Sequence, residues 1–255
     1  VEDGRARQEF VGCGAGVDGR VERPLGHRDV AGLGDEGGEL AVGDHRLVHV
    51  EGGDADAVGR GFYALRATRD FGAQDLGGML THVDSPYLDR RASVSSVDHQ
   101  WAPNADWNIR TQVVASSVTE AGARSDDSGF QLRADQELGG GWRQQAYLLH
   151  LGDELQLNDI GFLDRNDFNY LRYELARRIT GLPEDSAYSS HDWRGAASVR
   201  RSDSGVHIAD AVALNRYSER RDGGSEFFDV TYWTDGYDDL ITRGNGVVRV
   251  PEKVF

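Results

Sequence analysis

Phe130-Gln131-Leu132-Arg133-Ala134-Asp135 alternates apolar with polar side chains, Gly139-Gly140-Gly141 follows, and Trp142–Leu151 continues for a comparable length. A period of two sends successive side chains to opposite faces of an extended backbone, and clustered glycines accept the backbone angles of a tight turn. The stretch therefore predicts a β-hairpin. The same texture extends outward from about Gly61 to the C-terminus. Asn169, Leu171, Tyr173 and Leu175 share one face of the next segment, while Phe168, Tyr170, Arg172, Glu174 and Ala176 share the other. Val206, Ile208, Asp210, Val212 and Leu214 alternate with His207, Ala209, Ala211 and Ala213. Arg220-Arg221-Asp222-Gly223-Gly224 then connects to a strand at 226–234. Further strands are expected at about 63–69, 76–83, 92–100, 107–119 and 193–201.

Most of these segments span about 7–13 residues, bracketing the ~9–11 that a tilted membrane-spanning strand needs. Trp101, Trp107, Trp142, Tyr170, Tyr173, Trp193, Tyr217, Tyr232 and Trp233 recur near the expected strand ends, as an interfacial aromatic girdle requires. A soluble β-sandwich uses strands of similar spacing. In that alternative reading the aromatics are core or edge packing, or platforms on which sugars stack, with Trp193, Tyr232 and Trp233 as candidates in a carbohydrate-binding module or an accessory to a glycoside hydrolase.

Composition narrows the classes. The formal net charge of -15 over 255 residues excludes nucleic acid as a partner, because phosphate binding needs clustered Lys and Arg. Hydrophobic residues make up 38% of the chain, low for a large conventional core. Nowhere do ~18 apolar residues run together, which argues against a transmembrane helix and leaves a barrel open. Cys13 is the sole cysteine, so no internal disulfide or cysteine-based zinc site is expected, and the charged residues before it leave no apolar region for a lipoprotein signal.

Residues 1–60 differ in kind from the rest. They are rich in Gly, Asp, Glu, Arg, Val and Ala, show no sustained period, and read as a disordered or mis-framed segment ahead of a β domain over 61–255. Gly14-Ala15-Gly16-Val17-Asp18-Gly19 matches GxGxxG but lacks the strand before it and the helix after it, so no cofactor is expected. His45 and His49 sit four apart, the spacing of two ligands on one helix face, but no third ligand is obvious, so no metal is expected. The chain begins at Val1 with no signal peptide, and is read as a fragment, a processed product or a mis-called frame.

Two stretches carry a resemblance. Leu157-Asn158-Asp159-Ile160-Gly161-Phe162-Leu163-Asp164-Arg165-Asn166-Asp167 resembles the N-D/E-x-G-F-x-x-R-x-D signature of an uncharacterised family of bacterial outer-membrane proteins. Tyr237-Asp238-Asp239-Leu240-Ile241-Thr242-Arg243-Gly244 is similar to its later D-D-x-x-T-R-G element, and Leu65-Arg66-Ala67-Thr68-Arg69-Asp70 to an upstream strand of the family. In that family a barrel commonly follows a domain similar to the family-9 carbohydrate-binding modules. The resemblance implies an all-β, antiparallel up-and-down meander forming part of an outer-membrane barrel in a Gram-negative-type envelope. The lipid bilayer is the implied partner and glycans the implied ligand class. Asn158, Asp159, Gly161, Phe162, Arg165, Asp167, Asp238, Asp239, Thr242, Arg243 and Gly244 carry over as barrel signatures, with Arg165 and Asp167 a candidate ion pair. Nothing in residues 1–60 resembles the carbohydrate-binding domain, and the chain stops soon after the second motif, so an incomplete barrel is expected.

Catalysis is not expected. A glycosidase needs two carboxylates at a set separation, one with a raised pKa. The candidates Asp126/Asp127, Asp153/Glu154, Asp164/Asp167 and Asp238/Asp239 fall in turn-like segments where acidic residues ordinarily shape the turn. No GxSxG elbow occurs.

Overall fold

The computed structural model describes the backbone at residues 41–42, 45–52, 60–159, 161, 163, 165–242 and 246–255, with side chains from residue 60 onward. In chain order the strands are β1 (Ala41–Val42), β2 (His45–Gly52), β3 (Arg60–Asp70), β4 (Gln74–Ser85), β5 (Arg90–Trp101) and β6 (Trp107–Glu120). They continue as β7 (Ala123–Gly139), β8 (Trp142–Leu151), β9 (Phe168–Ile179), β10 (Tyr188–Arg201), β11 (His207–Arg220) and β12 (Ser225–Trp233). Last come β13 (Gly236–Asp238), β14 (Val248–Val250) and β15 (Lys253–Val254). Strands β1 to β12 pair antiparallel, each with the next, and β15 adds to β12, while β13 and β14 form a separate two-stranded sheet. The expected meander is therefore present, and the 3-10 turn Pro86–Leu88 is the only helical element among the described residues. The sheet is open among those residues, with β1 at one edge and β15 at the other.

The sheet begins upstream of the boundary expected at residue 61, because His45–Gly52 pairs along its length with β3. His45 and His49 thus lie on a strand, not a helix. The GxGxxG match and Cys13 lie outside the described residues.

The register fixes two faces of opposite character. One row of paired residues runs Trp101, Ile109, Ala134, Ala146, Tyr173, Ala197, Val212, Tyr232 and Val254. This face, called A below, also carries Leu80, Val97, Val113, Leu171 and Leu214. It is exposed: Val212 is 59% accessible, Val97 54% and Leu171 51%. The opposite face, B, carries the polar side chains Arg66, Asp98, Gln112, Gln131, Arg133, Asp135, Arg172 and Glu174, and nearly every buried strand residue. Thr81, Val83, Ala92, Val114, Ser116, Leu149, Phe168, Ala176 and Ser198 all lie on B. Burial on one side of a single sheet follows when the sheet curves that way, so that side chains of alternate strands meet above the strand between. Arg143 of β8 accordingly reaches over β9 to Asp192 of β10 at 2.8 Å. No second sheet covers face A among the described residues.

Strand ends are staggered along each row. Trp101 is the last residue of β5, whereas Val212, in the same row, lies well inside a strand that ends at Arg220. Strands offset in this manner are tilted, and tilt with stagger is the geometry that barrel closure requires.

One expected alternation fails. Ser198 pairs with Ala211, but Arg200 pairs with Ile208, so β11 holds one extra residue between them. That bulge sends Ile208 to face B, where it is 9% accessible, while Val212 and Leu214 stay on A. The single apolar face inferred for Val206 to Leu214 is therefore split. The girdle is also partial: Trp101, Trp107, Trp142, Tyr173, Trp193 and Tyr232 lie on A, but Tyr170, Tyr217 and Trp233 lie on B.

The faces differ in tolerance. A Cβ on Gly129 would meet His150 O at 2.8 Å and Leu155 Cδ2 at 3.1 Å on face B, whereas one on Gly195 would meet nothing within 4 Å on face A. Gly129→Val should lower stability by about 1–3 kcal/mol through overpacking, and Gly195→Val by less than about 0.5 kcal/mol. Urea-unfolding midpoints of the two variants check this ordering.

Candidate functional site

The connection between β8 and β9, residues 152–167, contains the first signature stretch, and its residues 155 and 157 pack on face B. Within it Leu155 is 1% accessible and packs with Val114, Leu149, Leu151, Phe168 and Ile208, with Leu157 and Leu163 beside them. Leu155 and Leu157 alternate with Glu154 and Gln156, and the segment sends its leucines toward the sheet. Burying one leucine side chain contributes roughly 1.5–3 kcal/mol, enough to hold a loop that would otherwise float.

Polar contacts fasten this strap at both ends. Arg90, the first residue of β5, donates from Nε and Nη2 to the Asp159 carboxylate at 2.9 and 2.8 Å. Its Nη2 also reaches Gln156 Oε1 at 3.0 Å, and its Nη1 reaches Glu120 at 2.5 Å. The two-pronged geometry suits a guanidinium and not an ammonium. Gln156 N donates to Ser116 Oγ at 3.1 Å, and Glu154 N to Asp127 Oδ2 at 2.7 Å. At the far end Arg165 pairs with Asp239 and places its guanidinium 5.2 Å from the Phe168 ring centroid. The Arg165 side chain is 8% accessible against 43% for Asp239, so the cation is the buried partner.

The two signature stretches, far apart in sequence, thus meet at Arg165 and Asp239. The pair anticipated between Arg165 and Asp167 does not form among the described contacts: Asp167, at φ 50°, accepts from the backbone N of Asp203 at 2.5 Å instead. Asn158 Oδ1 accepts from Leu163 N at 2.5 Å, and Gly161 N donates to Leu157 O at 2.9 Å, which closes the turn of the strap. Asp238 Oδ1 accepts from Leu240 N at 2.8 Å and Ile241 N at 3.1 Å, a local turn device, and Thr242 Oγ1 donates to Asp239 O at 2.7 Å. Phe162, Arg243 and Gly244 lie outside the described residues.

Beyond the strap, face B carries several groups of hydrogen-bonded polar side chains. Gln131 donates to Gln112 at 2.8 Å and accepts from Tyr147 Oη at 3.0 Å. Asp135 accepts from Gln145 at 2.7 Å and Arg133 at 2.9 Å, with Arg110 at 3.5 Å. Arg66 and Asp98 pair at 3.1 Å, and Arg172 and Glu174 at 2.7 Å. Arginines and carboxylates alternate with amides, giving a surface that can pass or hold polar solutes.

The carboxylate pairs are engaged in structure. Asp126 is bridged by Arg124 at 2.7 Å, Asp127 accepts from Glu154 N, and Asp239 is taken by Arg165, while Asp164 lies outside the described residues. In the β11–β12 turn, the Arg220 guanidinium and then the Gly224 N–H hold the Asp222 carboxyl below the usual carboxylate range. Among the described residues no group of three or more His, Cys, Asp or Glu is placed to hold a metal ion. Sequence reading missed Arg90 and Asp127 as strap anchors. The Leu155/Leu157 alternation inside a Gly- and Asp-rich connection was the signal available for the strap itself.

In comparisons with known proteins, no family model, no curated protein and no solved structure matches this chain.

The strap makes a test of unequal ion pairs. Asp239→Ala should cost about 1–3 kcal/mol by removing a carboxylate that a buried guanidinium contacts, whereas Asp235→Ala, which breaks the exposed Arg249–Asp235 pair, should cost about 0–1 kcal/mol. Equal shifts in the unfolding midpoint would rule out the Arg165–Asp239 latch.

Proposed function

We propose that this chain forms the membrane-spanning sheet of an outer-membrane β-barrel, with face A against lipid and face B lining the lumen. The observation that carries the reading is the inverted polarity of the sheet: the exposed face is the apolar one and the partly buried face is the charged one. A soluble one-layer sheet does the reverse. An apolar patch well beyond a few hundred Å² marks a surface that meets another apolar phase, and alternation of apolar-out with polar-in is the pattern of barrels in lipid. The strand lengths, the stagger and the two signature stretches support the same reading. No helix among the described residues is long and apolar enough to cross a membrane.

The proposed role is passive. Solutes are selected by the charges and amides of face B, with the strap narrowing one end, and no bond is made or broken. The resemblance to barrels that follow a carbohydrate-binding domain supports glycans as the cargo or ligand class, by analogy. In lipid, the edge strands need partners, because an unpaired backbone group there costs several kcal/mol.

Refolding the chain with and without detergent micelles tests this directly, read by far-UV circular dichroism and heat-modifiable gel mobility. A strong β signal with a mobility shift only in micelles is expected. Val212→Arg on face A should weaken insertion by about 2–4 kcal/mol, while Gln131→Arg on face B should leave insertion intact. A cooperative, monomeric β fold in water without detergent would sink the membrane reading.

A further inference from the structure

Across strands β8 to β12, face A carries the row Trp142, Arg177, Trp193, Arg216 and Phe228. The neighbouring row is Leu175, Gly195, Leu214 and Val230. Gly195 lacks a side chain where its neighbours have one, so a groove of about 410 Å³ opens over it, walled by Trp142, Leu175, Trp193 and Leu214. Two arginines stand at this level of face A, with Gln144 in the neighbouring row and Glu226 just beyond Phe228. The Arg177 guanidinium lies 5.0 Å from the Trp142 ring centroid, and that of Arg216 lies 5.4 Å from Trp193. Stacking on rings leaves the edges of a guanidinium free to donate. Arg216 Nε is buried with no hydrogen-bond partner among the described residues, and its Nη2 is 3.9 Å from Glu226. That carboxylate is already engaged by Arg220 at 3.2 Å and Tyr188 at 2.8 Å.

We propose that this groove is a binding site for one anionic glycerophospholipid, with an acyl chain laid over Gly195 and its phosphate held between Arg177 and Arg216. The inference rests on the membrane reading above and goes beyond it by assigning a specific lipid site. An apolar channel alone accepts any chain. Arg177 in its lining and Arg216, two residues beyond Leu214 on the same face, each beside a tryptophan of the kind that sits at headgroup level, select a phosphate carrying net negative charge. A zwitterionic headgroup brings its own ammonium to the same place and gains less. Arg177 and Arg216 therefore determine headgroup preference, and Gly195 determines whether a chain fits.

The test uses the full chain refolded in dodecyl maltoside micelles, doped with phosphatidylglycerol or phosphatidylcholine carrying brominated acyl chains. Bromine quenches tryptophan on contact, and Trp142 and Trp193 line the groove. Phosphatidylglycerol should quench at about tenfold lower mole fraction than phosphatidylcholine. In the double variant Arg177→Gln/Arg216→Gln the two lipids should become equivalent, and in Gly195→Leu the quenching at low mole fraction should disappear for both. Circular dichroism shows that each variant is folded. Equal quenching by the two lipids in the unsubstituted, micelle-bound chain overturns the site while leaving the membrane reading standing, as does a preference that survives both variants. Concentration-dependent self-association abolished by Gly195→Leu would identify a second copy as the occupant and also overturn the lipid site. A chain that folds in water and ignores micelles overturns both.

Discussion

Every residue of a paired strand is committed to one of two faces, and this sheet gives its two faces opposite characters. Face A is apolar and uncovered, and face B is polar, partly buried and crossed by a strap. The backbone ladder ties each strand to its neighbour, so the choice made in one hairpin is imposed on the next. A shift of one residue in register would exchange the faces of a whole strand. Register shifts near the ends of β7 and β10 do this locally, and the bulge in β11 uses the exchange to deliver Ile208 to the cluster beneath the strap.

The strap shows how a polar face is made to hold structure. Leu155 supplies apolar burial against Leu149, Leu151 and Phe168, while Arg90 and Arg165 anchor the ends with carboxylates from the strap and from beyond β13. Neither contribution suffices alone. An exposed ion pair contributes about 0–1 kcal/mol and a lone leucine cannot fix an orientation, but burial raises the value of the guanidinium contacts by removing water from them. The same polar face carries the Gln112–Gln131 and Arg133–Asp135 contacts, so the strap is seated on the polar side of the sheet.

Much of the sheet was legible in the residues. The hairpins around Gly139-Gly140-Gly141 and Asp222-Gly223-Gly224, the strand over β9 and its two faces, and the stretches at β3 to β6 all fall where alternation and turn residues put them. The signal was strong there because side-chain period and glycine content are local quantities. Strand β2 was not legible: His45–Gly52 lies in a Gly- and Asp-rich segment with weak alternation, and it is a strand by pairing with β3. The bulge was invisible for the complementary reason, since an extra residue is defined by the partner strand and not by the strand that carries it.

The sequence by itself determined the class of architecture: antiparallel strands in chain order, two faces of opposite polarity, acidic overall charge, and two motif-bearing connections. Tertiary structure alone decided that the apolar face is the exposed one, that Leu155 and Leu157 of the β8–β9 connection pack on the polar face, and that Arg165 reaches Asp239. Alternation says that two faces differ but not which way the sheet curves. That direction emerges only when many strands accumulate their twist and stagger, and partners distant in the chain are brought within reach of a guanidinium.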